Sequence, residues 1–110
     1  TIPQFTALQI LINQHEMTIG ELSQKMALAC STITDLVDRM ERNQLVIRKK
    51  DDKDKRIVRI EVLPKGHEIV EKVLERRIRF LESKMEEMTE EQKISLSEGL
   101  EYLYNSMKDN

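Results

Sequence analysis

Cysteine is almost missing from this chain, and glycine, proline and aromatic residues are scarce. Cys30 is the single cysteine. It cannot close an internal disulfide and offers no zinc-binding spacing, which fits a reducing compartment and a cytoplasmic protein. There is no Trp, only three Gly and two Pro, beside 39% apolar and 35% charged residues. That balance belongs to a helix-rich soluble protein and argues against disorder. No stretch approaches the ~20 consecutive apolar residues of a membrane span, and the opening residues lack a basic-then-apolar signal pattern, so no membrane partner is expected. Gly20, Gly66 and Gly99 stand too far apart to form a phosphate loop. No nucleophile comes with a base, and the acidic pairs Glu86-Glu87 and Glu90-Glu91 read as solvated helix faces, so the chain does not read as an enzyme. His15 and His67 lack partners at metal spacing; we expect no metal and no cofactor.

A length of 110 residues suits one compact unit with a modest core. The first residue is Thr1 and not Met, which leads us to expect a native chain that begins further upstream. The net charge of −2 would disfavour nucleic acid if it were evenly spread. It is not: from Arg39 to Arg59 there are nine Lys or Arg against four Asp or Glu, and the remaining segments hold nine against sixteen. The mean conceals a basic patch.

Pro3 suits the first turn of a helix with Phe5, Leu8, Leu11 and Ile12 at helical spacing, and Asn13 to Met17 reads as its exit. Thr18-Ile19-Gly20-Glu21 has the form of a capping box. It opens a short helix to about Met26, with Ile19, Leu22 and Met26 inward and Ser23, Gln24 and Lys25 toward solvent. Ala27 to Cys30 makes a tight connection, with Ser31 or Cys30 where a cap belongs. The next helix buries Ile33, Leu36, Val37 and Met40 and exposes Ser31, Thr32, Asp35, Asp38, Arg39 and Arg42. Asn43 can end it in a left-handed conformation. Val46 to Lys50 and Arg56 to Val62 then read as strands, the second with Val58, Ile60 and Val62 on one face, joined by a charged tip from Asp51 to Lys55. Pro64 starts a long helix. Leu74, Ile78, Leu81, Met85 and Met88 follow the four-three spacing of a coiled-coil seam. Thr89 to Gln92 is a second capping box, and Leu96, Leu100, Leu103 and Met107 repeat the seam spacing on the final helix.

This order of elements is that of a winged helix-turn-helix, mainly α with a small β-hairpin wing (α+β) and long C-terminal helices. Residues 1–63 form the winged part and 64–110 a helical dimerisation region. The run Ser31-Thr32-Ile33-Thr34-Asp35-Leu36-Val37-Asp38-Arg39-Met40-Glu41, with Leu45-Val46, Asp51-Asp52-Lys53-Asp54-Lys55-Arg56 and the Lys65-Gly66 step, resembles the MarR family of bacterial transcription regulators. The resemblance covers nearly the whole chain from Pro3-Gln4-Phe5. It implies a sequence-specific DNA-binding regulator, a ligand- or stress-responsive repressor acting as a homodimer on a palindromic operator, with double-stranded DNA, itself and a small-molecule effector as partners. It also implies a further helix before Pro3, which this sequence does not contain.

In a helix-turn-helix the N-terminal residues of the second helix meet base edges, here Ser31, Thr32, Thr34 and Asp35. Hydroxyls can serve a base or a phosphate, and an aspartate can accept from a cytosine amino group while repelling the backbone. Asp35 departs from the resemblance, where a basic or small residue is more usual, and an alternative is that it pairs with Arg39 one turn on. Lys53, Lys55 and Arg56 lie on the wing, whose tip the resemblance places in the minor groove with a basic residue that matches Lys55. Asp54 would brace a neighbouring Arg, either Arg39 or Arg56. The other reading of the hairpin is a solvated charged loop. The seams at Leu74, Ile78, Leu81, Met85, Leu96, Leu100, Leu103 and Met107 serve a helix hairpin, a dimer interface or both, and Met85, Met88 and Met107 read as filler before they read as a pocket. Cys30 is either a small packing residue or a redox switch near a helix N-terminus. A different class of function stays open: a winged-helix protein-interaction module that binds no DNA, for which Asp35 and the overall acidity speak.

Overall fold

Thr1 caps the first helix, α1 (Ile2–Gln14): its hydroxyl accepts from the Gln4 amide at 3.4 Å, and Pro3 sits in the first turn where its missing N–H costs nothing. The computed structural model describes residues 1–108; Asp109 and Asn110, the end of the 64–110 region, lie outside the described residues. α1 buries Ala7, Leu8 and Leu11. Asn13 and Gln14 are still helical, so the exit begins at His15, which takes a positive φ of 64°.

The predicted capping box is present. Glu21 N donates to Thr18 Oγ1 and Thr18 N to Glu21 Oε1, both at 3.1 Å, and α2 runs Ile19–Met26. Ser23 is buried and not turned to solvent as its polarity suggests. Its hydroxyl donates to the Gly20 carbonyl at 2.8 Å, so the helix itself satisfies the group that packing covers. Ala27 closes α2 in the left-handed region at φ 55°, with Leu28 N donating to Ser23 O at 3.1 Å.

α3 (Cys30–Arg42) buries Ile33, Leu36, Val37 and Met40, the expected stripe. Its ends differ from expectation. Ala29 holds the N-cap position and no side chain caps the helix, so neither Cys30 nor Ser31 does that work. At the other end Asn43 has φ −87°, and Gln44 is the left-handed residue at φ 62°. Gln44 N bonds Glu41 O at 3.0 Å and Leu45 N bonds Met40 O at 2.9 Å, the bond pair of a Schellman motif, with buried Leu45 and Met40 as its apolar contact.

The wing is antiparallel: β1 (Val46–Lys50) against β2 (Val58–Val62), from Val46↔Val62 to Lys50↔Val58. β2 begins two positions after Arg56 because Arg56 and Ile57 belong to the turn, where Ile57 N bonds Asp54 O at 3.0 Å. On the other side of β2, Ile60 N donates to Met17 O at 2.7 Å, tying the wing to the segment ahead of α2. Ile60 is buried, while Val58 and Val62 are half-buried, as are Arg59 and Glu61 on the opposite face.

α4 (Pro64–Met85) starts against the wing base. Leu63 N donates to Leu45 O at 2.9 Å, and Gly66 comes so close that a Cβ there would stand 2.6 Å from that carbonyl and 2.8 Å from Val62 Cγ1. Gly66 and Val70 are buried. For this reason the first compact unit runs past residue 63 to Leu74, and the described residues from Glu75 onward form a second unit. In that second unit Thr89 and Gln92 form the expected box, with bonds of 3.0 and 3.1 Å, and open α5 (Glu90–Lys108). α4 ends at Met85, so Met88 lies in the connection and not on the helical seam. α5 buries none of its residues.

The two glycines make opposite demands. Gly66→Ala should lower stability by about 1–3 kcal/mol through overpacking against backbone. Gly99→Ala, with nothing within 4 Å, should raise the stability of α5 by about 0.5–1 kcal/mol. Thermal unfolding of both variants checks this, and shifts of the same sign would contradict the close approach at Gly66.

Candidate nucleic-acid interface

The solvent side of α3 divides into two stripes by helical spacing. Thr32, Asp35, Arg39 and Arg42 form one; Ser31, Thr34, Asp38 and Glu41 form the other. Because Ala29 has no capping group, the amides of Ser31 and Thr32 find no intrachain acceptor among the described residues. Unclaimed first-turn amides at a helix N-terminus are suited to an anionic oxygen. Ser31 and Thr32 are exposed, whereas the Thr34 hydroxyl donates to the Cys30 carbonyl at 2.9 Å and is committed to its own helix. Asp35 and Arg39 are both exposed and, among the described residues, make no ion pair with each other. Cys30 is exposed, with its Sγ 3.4 Å from Ser23 Oγ.

The wing tip is held by two aspartates. Asp51 Oδ2 accepts from the amides of Lys53 (3.1 Å) and Asp54 (3.0 Å), and its Oδ1 accepts from Arg59 Nε at 3.4 Å. The Asp54 amide, followed by Arg59, holds the Asp51 carboxyl below its ordinary pKa. Asp54 braces Arg56 and not Arg39: one oxygen accepts from the Arg56 amide and Nε, the other from Nη2, all at 3.0 Å. That bonding lowers the Asp54 pKa and raises that of Arg56, which remains 91% exposed. Lys53 and Lys55 extend from this frame, exposed and without an ion pair among the described residues.

Sequence reading missed the roles of Arg48 and Arg59. Arg48 Nη2 bonds Asp38 Oδ1 at 2.7 Å, its Nη1 bonds Glu41 Oε1 at 2.8 Å, and its amide bonds Glu41 Oε2 at 3.1 Å. Burial opposes the Arg48 charge, but the bonds to Asp38 and Glu41 outweigh it and raise the pKa. Arg59 also lies 3.6 Å from Glu21 Oε1. Thus among the described residues three of the nine cations between Arg39 and Arg59 face carboxylates of the chain, and six (Arg39, Arg42, Lys49, Lys50, Lys53 and Lys55) do not. The basic surface is these six; Arg42 is legible on the exposed face of α3, whereas Lys49 and Lys50 carry no signal beyond the charge count.

A cleft of about 470 Å³ beside the wing is lined by Leu11, Ile12, His15, Arg59, Glu61 and His67 among others. Its walls mix acid, base and apolar side chains. Among the described residues no three His, Cys, Asp or Glu group to hold a metal, and no helix is long and apolar enough to cross a membrane.

The depressed Asp51 and Asp54 pKa values set the pH response of the tip. A carboxylate with a lowered folded pKa adds order above its unfolded pKa and loses it as pH falls through the folded value. Titration of the Lys53 and Asp54 amide shifts by NMR should therefore give a midpoint below the ~3.9 of an unperturbed Asp. A midpoint at or above that value would count against the tip as described.

Residues 1–58 match the model of the MarR family. The chain is 48% identical over 108 residues to the HTH-type transcriptional regulator YsmB of Bacillus subtilis, covering 98% of this chain and 74% of that one. A MarR family protein from Bacillus stearothermophilus is similar in structure, with a TM-score of 0.85 at 48% identity over 98% of this chain and 75% of the other. FabT of Streptococcus pneumoniae, solved in complex with DNA, shares the fold with a TM-score of 0.73 at 21% identity, covering 99% of this chain and 76% of that one. Five helices and an antiparallel hairpin in the order found here, together with these matches, place the chain in the MarR family of winged-helix transcriptional regulators, which are not enzymes.

Proposed function

We propose that the chain is a sequence-specific DNA-binding regulator that acts as a homodimer on a palindromic operator, in the cytoplasm, as a ligand- or stress-responsive repressor. One observation carries the DNA reading: the α3 stripe with unclaimed N-terminal amides lies on the same small domain as a wing whose tip presents Lys53 and Lys55 unpaired. The FabT structure, with the same fold and DNA bound, supports it. Ser31, Thr32, Thr34 and Asp35 would face base edges, with Thr34 limited by its bond to Cys30. Arg39, Lys53 and Lys55 would neutralise phosphates, each lysine as a point charge that adds affinity more than readout, and Arg56, exposed but already held by Asp54, would reach a phosphate only while sharing its charge with that carboxylate.

The dimer reading rests on apolar exposure. Ile78 (54%), Leu81 (57%), Leu100 (56%), Leu103 (54%) and Met107 (64%) are open to solvent, with Leu74, Leu96 and half-buried Met85 continuing the seams. Exposed apolar residues repeating at seam spacing along a helix mark an interaction face. A second copy of the chain is the occupant we propose.

A mobility-shift titration tests the site. Arg39→Ala with Lys55→Ala should weaken binding across sequences and reduce the log–log salt slope by about one unit per removed cation. An unchanged slope would remove these residues from the interface. Selection from random duplexes should enrich a palindrome with half-sites about 34 Å apart; no enrichment at low salt would favour a protein-interaction module instead. Light scattering should report a dimer that Leu100→Glu with Leu103→Glu converts to monomer, and a monomeric parent chain would refute the seam assignment.

A further inference from the structure

We propose that Arg48 is a positioning residue: it sets the wing against the recognition helix α3 by holding, and neutralising, the acidic flank of that helix. The proposal rests on the DNA-binding reading above for its consequence, but not for its geometry.

Of the two solvent stripes of α3, the one with Ser31, Thr34, Asp38 and Glu41 meets β1 through its last two residues, Asp38 and Glu41. Unopposed, its carboxylates would stand beside any phosphate that α3 approaches, and like charges in that position disfavour binding. Arg48 sits in the middle of β1 and meets both: Asp38 at 2.7 Å and Glu41 at 2.8 Å. A planar fork can reach two carboxylates at once, which a lysine ammonium does not reproduce. The third bond gives the contact a register. The Arg48 amide points away from β2 to Glu41 Oε2 at 3.1 Å, so the carboxylate occupies a backbone donor on the open edge of β1. A strand slip of one residue would break all three bonds together.

The opposite strand is held differently: Ile60 N of β2 donates to Met17 O at 2.7 Å, and by side chain Arg59 reaches Glu21 only at 3.6 Å, its 3.4 Å bond to Asp51 staying within the wing. The short, three-bond link is the one to the helix proposed to enter the groove. These ion pairs are only partly buried and such pairs add little to stability, so thermal unfolding alone would not reveal what Arg48 does. A positioning Arg48 would instead couple the wing's contact with DNA to that of α3.

Two measurements test this, one without DNA. With Cys30→Ser and a nitroxide attached through Asp52→Cys, Arg48→Met and Arg48→Lys should both sharpen the electron paramagnetic resonance spectrum of the wing tip while thermal unfolding changes little. An unchanged line shape overturns the proposal, whether or not the protein binds DNA. In the DNA measurement, the affinity loss caused by Lys55→Ala should be smaller in the Arg48→Met background than in the parent by about threefold or more. Equal losses in the two backgrounds overturn it. The triple change Arg48→Met, Asp38→Asn, Glu41→Gln removes the repulsion without restoring the link, and should leave the tip mobile and the coupling low. If it restores both, Arg48 only neutralises charge and the positioning role fails. Should Arg48→Met fail to fold, Arg48→Lys, which keeps the charge and loses the fork, decides both arms. A parent chain that binds no duplex at all defeats the DNA reading and leaves the spectroscopic arm to decide the link.

Discussion

The carbonyl of Leu45 is the joint on which the winged domain depends. It accepts from Leu63 N at 2.9 Å, and the residue that carries it is placed by the Schellman turn that ends α3. The start of α4 approaches the same carbonyl so closely that only a glycine fits at position 66, with Leu8 of α1 packed alongside. One backbone oxygen thus fixes the end of α3, the base of the wing and the first turn of the long helix. Buried Leu8, Leu22, Ile33, Met40 and Ile60 fill the space beneath it. Each such side chain contributes about 1.5–3 kcal/mol by leaving water. The joint determines where they meet.

On that frame the charges sort by partner. Asp38 and Glu41 are taken by Arg48, Asp54 by Arg56, and Asp51 by Arg59 together with two tip amides. What is left unpaired is mostly cationic on the wing and mixed on α3, where Asp35 stands one turn from Arg39 without bonding to it. An acidic chain can in this way present a basic surface: its carboxylates in this segment are largely occupied internally, and the phosphates of a partner would meet the six cations that are not. The same sorting explains why the tip needs acids at all. Asp51 and Asp54 shape the loop that carries Lys53 and Lys55.

The helices beyond Leu74 follow a different rule. α5 is capped at Thr89 and continuous to Lys108, yet it covers none of its apolar side chains. Secondary structure there is specified locally and burial is not. Such a helix is capped at its start and incomplete in its hydrophobic contacts, the condition in which burying its apolar face gains the most free energy.

Local signals were legible in the sequence where the physics is local. The Thr18–Glu21 and Thr89–Gln92 boxes, the Ile33-Leu36-Val37-Met40 stripe and the β1 limits all depend on neighbours within a turn or on strand alternation, and the structure has them as read. By themselves the residues determined the order of elements, the basic segment and the family. Ser23 burial, the left-handed Gln44 and the continuation of the first unit to Leu74 were not legible, because each is decided by packing from elsewhere in the chain. The same holds for the cations. Arg48 meets acids seven and ten residues away, and Arg59 meets Asp51 eight away across the hairpin, spacings that have no helical or strand period to reveal them. Composition counted nine positive charges, but a count does not see distance; only the tertiary fold, by bringing β1 against α3, decided which of them are spent within the chain and which remain for a partner.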